Sequence, residues 1–145
     1  MDIQKKQEIL DYLNSWRKES MATFLDITFT DVSEDSLTAT MPVQPKVHQP
    51  YGILHGGASC VLAETLGSSL SYINVDSEKF YPVGTNINSN HLRSKKDGIV
   101  TGTATFIRKG NTMHVSQIEI RDEKGKLINH TTMTNNIIPI INNSL

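Results

Sequence analysis

Apolar residues recur at helical spacing in two stretches of this chain and alternate with polar ones through most of the rest. Near residues 3–17, Ile9, Leu10, Leu13 and Trp16 fall at i, i+1, i+4 and i+7, which predicts a short amphipathic helix. Alternation follows in Leu25, Ile27 and Phe29, then in Leu37, Ala39, Met41 and Val43, with Ser and Thr filling most gaps. Ser33-Glu34-Asp35-Ser36 between them reads as a hairpin turn. Pro42, Pro45 and Pro50 then break regular structure. From His55 to about Asn74, Leu62, Leu66, Leu70 and Ile73 form one helical stripe, with Gly57, Cys60, Glu64, Gly67, Ser68 and Ser71 roughly opposite. Four strand-like runs complete the chain, at 81–93, 99–108, 113–121 and 127–138. Asp97-Gly98, Lys109-Gly110-Asn111 and Lys124-Gly125 mark turns.

Links this short favour antiparallel pairing. The pattern therefore predicts one α+β domain over residues 1–145, with about six strands curled around a single long helix. Leu62, Leu66, Leu70 and Ile73 would face the sheet, and the side carrying Glu64 would face something else.

Composition narrows the function classes. A formal charge of −1 argues against a general nucleic-acid binder, which needs a strongly basic face. The first twenty residues mix both charges with apolar residues and hold no uninterrupted apolar run, so no secretory signal is expected. The longest mostly apolar stretch contains His55, Glu64 and many Gly and Ser, and is not expected to span a membrane. A single cysteine, Cys60, cannot form an internal disulfide, which fits a cytoplasmic location. Its place on a packed helix points to burial rather than to a nucleophile. His48, His55, His91, His114 and His130 lack metal-binding spacing, so no metal is expected, and His48, His114 and His130 read as structural.

Glu64 is the only carboxylate between Ile53 and Val75. A helical Glu ordinarily sits on a solvated face, but such a face carries several charges and this one carries no other. Gly57, Cys60, Gly67 and Ser68 around it would let another helix or a ligand come close, and Ser68, four residues on, reaches the same point in space. "LHGGAS" at the helix start offers amides without internal acceptors at an electropositive end. It is either a plain glycine turn or an amide aimed at an oxygen that gains charge during acyl transfer. Gly56 and Glu64 are eight residues apart, about 12 Å along a helix. That is too far for both to act on one carbonyl. If both are catalytic, two copies packed antiparallel would solve the problem.

In order and spacing, "QPYGILHGGASCVLAETLGS" from Gln49 and "NSNHLRS" over Asn88–Ser94 resemble the hotdog-fold acyl-CoA thioesterases of the 4-hydroxybenzoyl-CoA and phenylacetate-pathway type. Within them the chain is most similar to the 1,4-dihydroxy-2-naphthoyl-CoA thioesterases of menaquinone or phylloquinone synthesis, and the similarity runs from Phe24 to Leu127. The resemblance implies a long helix wrapped by an antiparallel sheet, in homodimers with shared sites that associate again into tetramers. It implies Glu64 as catalytic carboxylate, the Gly56 amide polarising the thioester carbonyl, Gln49 orienting the thioester, and His55 and Ser68 as active-site neighbours, with Ser68 positioning water. His91 matches a histidine near the substrate. Coenzyme A enters as part of the substrate and no cofactor is implied.

Basic residues cluster in two turns, Arg93-Ser94-Lys95-Lys96 and Arg108-Lys109. They are either solvated charge at strand ends or, with Gly110, Asn111 and Thr112, a shallow site for CoA phosphates. Glu64 could act as nucleophile, forming a mixed anhydride, or as base for water. A hotdog hydratase or dehydratase acting on enoyl or hydroxyacyl thioesters is the rival enzyme, and a non-catalytic acyl-CoA-binding module the rival outside catalysis.

Overall fold

The computed structural model describes residues 1–15 and 19–141. The elements are α1 (Ile3–Ser15), α2 (Met21–Phe24), β1 (Thr28–Val32), β2 (Ser36–Pro42), a 3-10 turn (Pro45–Val47), α3 (Gly56–Tyr72), β3 (Phe80–His91), β4 (Ile99–Lys109), β5 (Met113–Arg121) and β6 (Leu127–Pro139). All six strands form one antiparallel sheet in the order β1-β2-β4-β5-β6-β3, and α3 lies across its inner face against β2 to β6. The expected α+β arrangement, a sheet around one long helix, is the one observed.

Alternation sets the inner face. Leu37, Ala39 and Met41 of β2, Val100 and Ala104 of β4, Ile118 and Ile120 of β5 and Met133 of β6 are buried against Leu62, Leu66 and Leu70 of α3. Each of those three leucines is fully buried and contributes about 1.5–3 kcal/mol relative to exposure. The buried stripe of α3 is wider than the leucines alone suggest. Gly67 and Ser71, expected on the opposite side, also face the sheet. A Cβ on Gly67 would meet Met133 Sδ at 2.8 Å and Ser116 Oγ at 3.2 Å. Asn135 Nδ2 of β6 donates to Gly67 O (3.2 Å) and Ser71 Oγ (3.0 Å). Small residues here let the helix settle onto β5 and β6. The uncovered stripe is Gly57, Cys60, Glu64 and Ser68, and Cys60, expected to be buried, is half-exposed on it.

The amino-terminal region departs from the expected strand at 25–29. Residues 21–24 form one helical turn instead, its first turn capped by Ser20 Oγ, which accepts from Thr23 N–H. Asp26 turns the chain out of the helix at φ 55°, and β1 begins only at Thr28. Leu25 and Ile27 are buried nonetheless, so their spacing imitated a strand. The hairpin turn at 33–36 closes as expected, with Ser33 N–H donating to Ser36 O. In α1, Leu13 is buried and Ile9 and Leu10 pack against the core, while Trp16 lies outside the described residues.

β3 is an edge strand of 12 residues, exposed over most of both faces. Its register against β6 shifts between Gly84 and Asn86, so Thr85 is an extra residue. Before this bulge the even-numbered residues face α3. Beyond it the odd-numbered ones do, so Gly84, Ser89 and His91 share the inner face although 84 and 91 differ in parity.

Candidate active site

The segment from Gln49 to Gly57 is held from several sides. Leu54 N–H donates to Lys95 O, and His55 N–H to Val47 O. Gln49 N–H donates to Ile53 O, and Gln49 Oε1 accepts from Tyr51 N–H. With its oxygen occupied, Gln49 keeps its amide N–H groups as donors to anything beside it.

His55 is the N-cap of α3, and its Nδ1 accepts from Gly57 N–H at 2.8 Å. That bond fixes the neutral ring with its proton on Nε2. The next two amides, Ala58 and Ser59, donate to His55 O. Gly56 N–H has no acceptor among the described residues. It is therefore the amide of the first turn left available at the positive end of a 17-residue helix.

His91 lies against this amide. A Cβ on Gly56 would sit 2.6 Å from His91 Nε2 and 2.9 Å from Cδ2, so only glycine allows the ring so close. A partly buried network orients the imidazole. Thr131 Oγ1 donates to Asn129 Oδ1 (2.7 Å), so Asn129 Nδ2 points to Ser89 Oγ (2.8 Å) and His91 Nδ1 (3.0 Å). An amide donor at Nδ1 leaves the proton of the neutral ring on Nε2, facing Gly56. Gln49, Gly56, His91, Arg93 and Ser94 line one cavity of about 320 Å³, floored by Leu54, Ser59 and Ile128. In the sequence Asn129 carries only the Asn129-His130-Thr131 glycosylation triplet, and nothing ties it to a site. Its signal is its place opposite His91 in the β3–β6 register, which is a tertiary fact.

Glu64 lies two turns further along α3, exposed and without a hydrogen bond inside its own chain among the described residues. It is not among the residues of the Gln49–His91 cavity. Its Oε1 comes 3.2 Å from the position a Cβ would take on Gly84. Ser68 is half-exposed on the same stripe and makes no hydrogen bond with Glu64.

The two basic turns lie apart within the chain. Arg93 and Ser94 belong to the Gln49–His91 cavity, where β3 ends beside the start of β6. Lys109, Gly110 and Asn111 line a second cavity with Asn74, Asp76, Phe80 and His114, at the opposite end of β3. Lys109 is engaged there by Asp35 (2.9 Å) and Asn74 Oδ1 (3.1 Å). Thr112 O accepts from Ile137 N–H, and Arg108 makes no ion pair among the described residues. Burial, together with the Lys109 charge, lowers the His114 pKa below its ordinary value. Lys95 is drawn off to Glu123 at 2.6 Å. Among the described residues no three of His, Cys, Asp or Glu gather closely enough to hold a metal ion.

A sequence model of the thioesterase superfamily matches residues 51–129. The 1,4-dihydroxy-2-naphthoyl-CoA hydrolase of Escherichia coli is 43% identical over 136 residues, 94% of this chain and 99% of that protein. The proofreading thioesterase EntH of Cronobacter sakazakii is 40% identical over 124 residues, 86% of this chain and 90% of that one. Among solved structures, a variant of thioesterase PA1618 from Pseudomonas aeruginosa superposes with a TM-score of 0.88 at 44% identity, covering 90% of this chain and 94% of that one.

Proposed function

Because the chain belongs to the thioesterase superfamily, we propose that it hydrolyses an aromatic acyl-CoA to the free acid and CoA, with Glu64, Gly56 and Gln49 as its working groups. The protein has the hotdog fold and is a thioester hydrolase. The substrate is the finer step. The E. coli relative is named for 1,4-dihydroxy-2-naphthoyl-CoA, which makes that ester the leading candidate here and menaquinone synthesis the pathway. A cytoplasmic location goes with this reading. No described helix is long and apolar enough to cross a membrane.

One observation carries the residue assignment: among the described residues Gly56 N–H is unengaged while its neighbours in the first turn are satisfied. A thioester oxygen placed there would meet a preorganised donor at a helix N-terminus, with the Gln49 amide beside it. Glu64 would supply the negative charge that attacks the carbonyl or takes a proton from water. His55 serves this site by capping the helix, and His91 by packing against the polarising amide.

The continuous helix keeps Gly56 and Glu64 about 12 Å apart, so a working site takes Gly56 and Gln49 from one protomer and Glu64 from another. β3 is the strand to join them. It is a long unpaired edge with Tyr81 and Val83 exposed, the kind of edge that pairs with another strand. Two-fold antiparallel pairing of β3 would set the two α3 helices antiparallel. It would also carry Arg93 and Ser94 of one protomer toward the start of the partner's β3, beside which the Lys109–Thr112 turn lies. In that arrangement both basic turns flank one bound CoA. Association of two dimers completes the reading.

Thiol release measured over aryl, fatty and short-chain acyl-CoAs tests the proposal. Fastest turnover is expected on aryl esters, with no loss of enoyl absorbance from unsaturated ones. Loss of the conjugated enoyl without thiol release would make the protein a hydratase. Tight binding of CoA esters without turnover would make it a sensor.

A further inference from the structure

The stretch 47–55, which carries Gln49 and leads into Gly56, is bonded mostly to itself. His48 and Leu54 form an antiparallel bridge, Gln49 N–H donates to Ile53 O (2.9 Å), and His55 N–H donates to Val47 O (2.8 Å). Among the described residues only two hydrogen bonds leave it for a distant segment, and both end on neighbouring carbonyls. Leu54 N–H donates to Lys95 O (2.7 Å), and His48 Nε2 donates to Lys96 O (2.9 Å). The support behind these carbonyls has little structure of its own. Residues 94–98 belong to no helix or strand, and among the described residues their backbone N–H groups find no acceptor. Gly98 O accepts from Val43 N–H at the far end of this strap. Its middle is fixed by the side chain of Lys95, whose Nζ donates to Glu123 Oε2 at 2.6 Å. Glu123 Oε1 accepts from Ile99 N–H (2.6 Å), just past the strap. A Cβ on Gly98 would collide with Glu123 Oε1, so the carboxylate lies directly on the strap backbone. The Lys95 side chain is only 15% exposed, and solvent screens its attraction to Glu123 weakly.

We propose that Lys95 and Glu123 are positioning residues, which lock the strap whose carbonyls hold the Gly56 amide and Gln49 in place. The inference rests on Gly56 and Gln49 being working groups of the site. Neither Lys95 nor Glu123 lines the Gln49–His91 cavity, so the pair acts from behind it. Lys95 links the two sides within one residue. Its side chain is on Glu123, and its carbonyl is on Leu54, two positions before Gly56. A shift of about 1 Å at a group that must meet the reacting carbonyl costs up to about a hundredfold in rate, so a loosened strap is read in kcat.

Three variants test this. Lys95→Met keeps the stem and removes the charge, Glu123→Gln removes the carboxylate, and Lys95→Arg keeps a cation that can pair with Glu123. Amide hydrogen exchange gives a readout apart from activity. In Lys95→Met and Glu123→Gln, the Leu54 amide should exchange about tenfold faster relative to those of Leu66 and Ile118, which report global stability. On benzoyl-CoA and benzoyl-pantetheine alike, kcat should fall about tenfold with KM changed less than about threefold. Lys95→Arg should recover most of both losses. Folded Lys95→Met and Glu123→Gln with the Leu54 exchange or the kcat of wild type overturn the inference. So does a KM rise confined to benzoyl-CoA, which makes Lys95 a phosphate contact, and so does a loss that Lys95→Arg leaves unrepaired. Failure of both Lys95→Met and Glu123→Gln to fold also overturns it, because the pair is then a requirement of the fold. Wild-type protein inert toward every acyl thioester instead removes the functional reading beneath it, a result on which the exchange measurement does not depend.

Discussion

The imidazole of His91 rests on the backbone of Gly56, with Nε2 only 2.6 Å from where a Cβ would stand. The contact joins the end of an edge strand to the first turn of the central helix, so residue 56 must be glycine for two reasons. Its Cα must accept an aromatic ring, and in the proposed site its amide must stay reachable.

Gly56→Ala should therefore displace either the ring or the amide. Turnover is expected to fall about 10²–10³-fold, the scale of losing one oxyanion donor. Adding His91→Ala relieves the steric conflict. If the double variant regains melting temperature and part of its kcat, the loss came from the contact. Additive losses from the two substitutions would show that Gly56 and His91 act independently.

Glu64 makes no hydrogen bond inside its own chain among the described residues, so Glu64→Gln should keep stability and CoA-ester binding while turnover drops at least about a hundredfold. The proposed shared site makes a sharper demand. Glu64→Ala and Gln49→Ala, each nearly inactive alone, should complement in mixed dimers, where one site collects both defects and the other is intact. Equal mixing gives about half mixed dimers and roughly a quarter of wild-type activity. Two affinity tags verify the mixed species; if these stay inactive although folded, the composite site is refuted.

Asn129 holds Ser89, Thr131 and His91 in one partly buried network. Asn129→Ala removes the donor to His91 Nδ1, while Ser89 Oγ and Thr131 Oγ1 keep their bond to each other (2.8 Å), and should cost about 0.5–1.5 kcal/mol in denaturant unfolding. Nitrogen NMR should report His91 protonated at Nε2 in the wild type and mixed tautomers in the variant. A wild-type ring protonated at Nδ1 contradicts the network as drawn.

Glu123 clamps the loop behind the site by accepting from Lys95 Nζ and Ile99 N–H, both at 2.6 Å. Those bonds, Lys95 foremost, hold its pKa at about 2 against an ordinary 4.5. A carboxyl depressed in the folded state stabilises it above 4.5 and loses that contribution as pH falls toward 2. The melting-temperature advantage of wild type over Glu123→Gln should thus be full near pH 6 and shrink between pH 4.5 and 2. An advantage unchanged by acid would mean that the carboxylate charge is not what the clamp uses.

The sequence by itself determined the long helix, the antiparallel strands and the isolation of Glu64, because each follows from a period set by local backbone geometry: 3.6 for helix, 2 for strand. It also determined that Gly56 and Glu64 cannot serve one carbonyl in one chain, which needs only the rise of a helix. What spacing alone misjudged is equally physical. Leu25 and Ile27 alternate like a strand but are buried from a capped helical turn and the turn after it. Gly67 and Ser71 looked like the open face of α3, but a curled sheet covers more of a helix than a flat one. Only the tertiary structure decided what surrounds the candidate groups. The extra residue Thr85 reverses the parity of β3, so Gly84 comes to Glu64 and His91 comes to Gly56 on the same face. A one-residue bulge leaves no mark in hydrophobic periodicity on an edge strand exposed over most of both faces, so the partner strand's register had to reveal it.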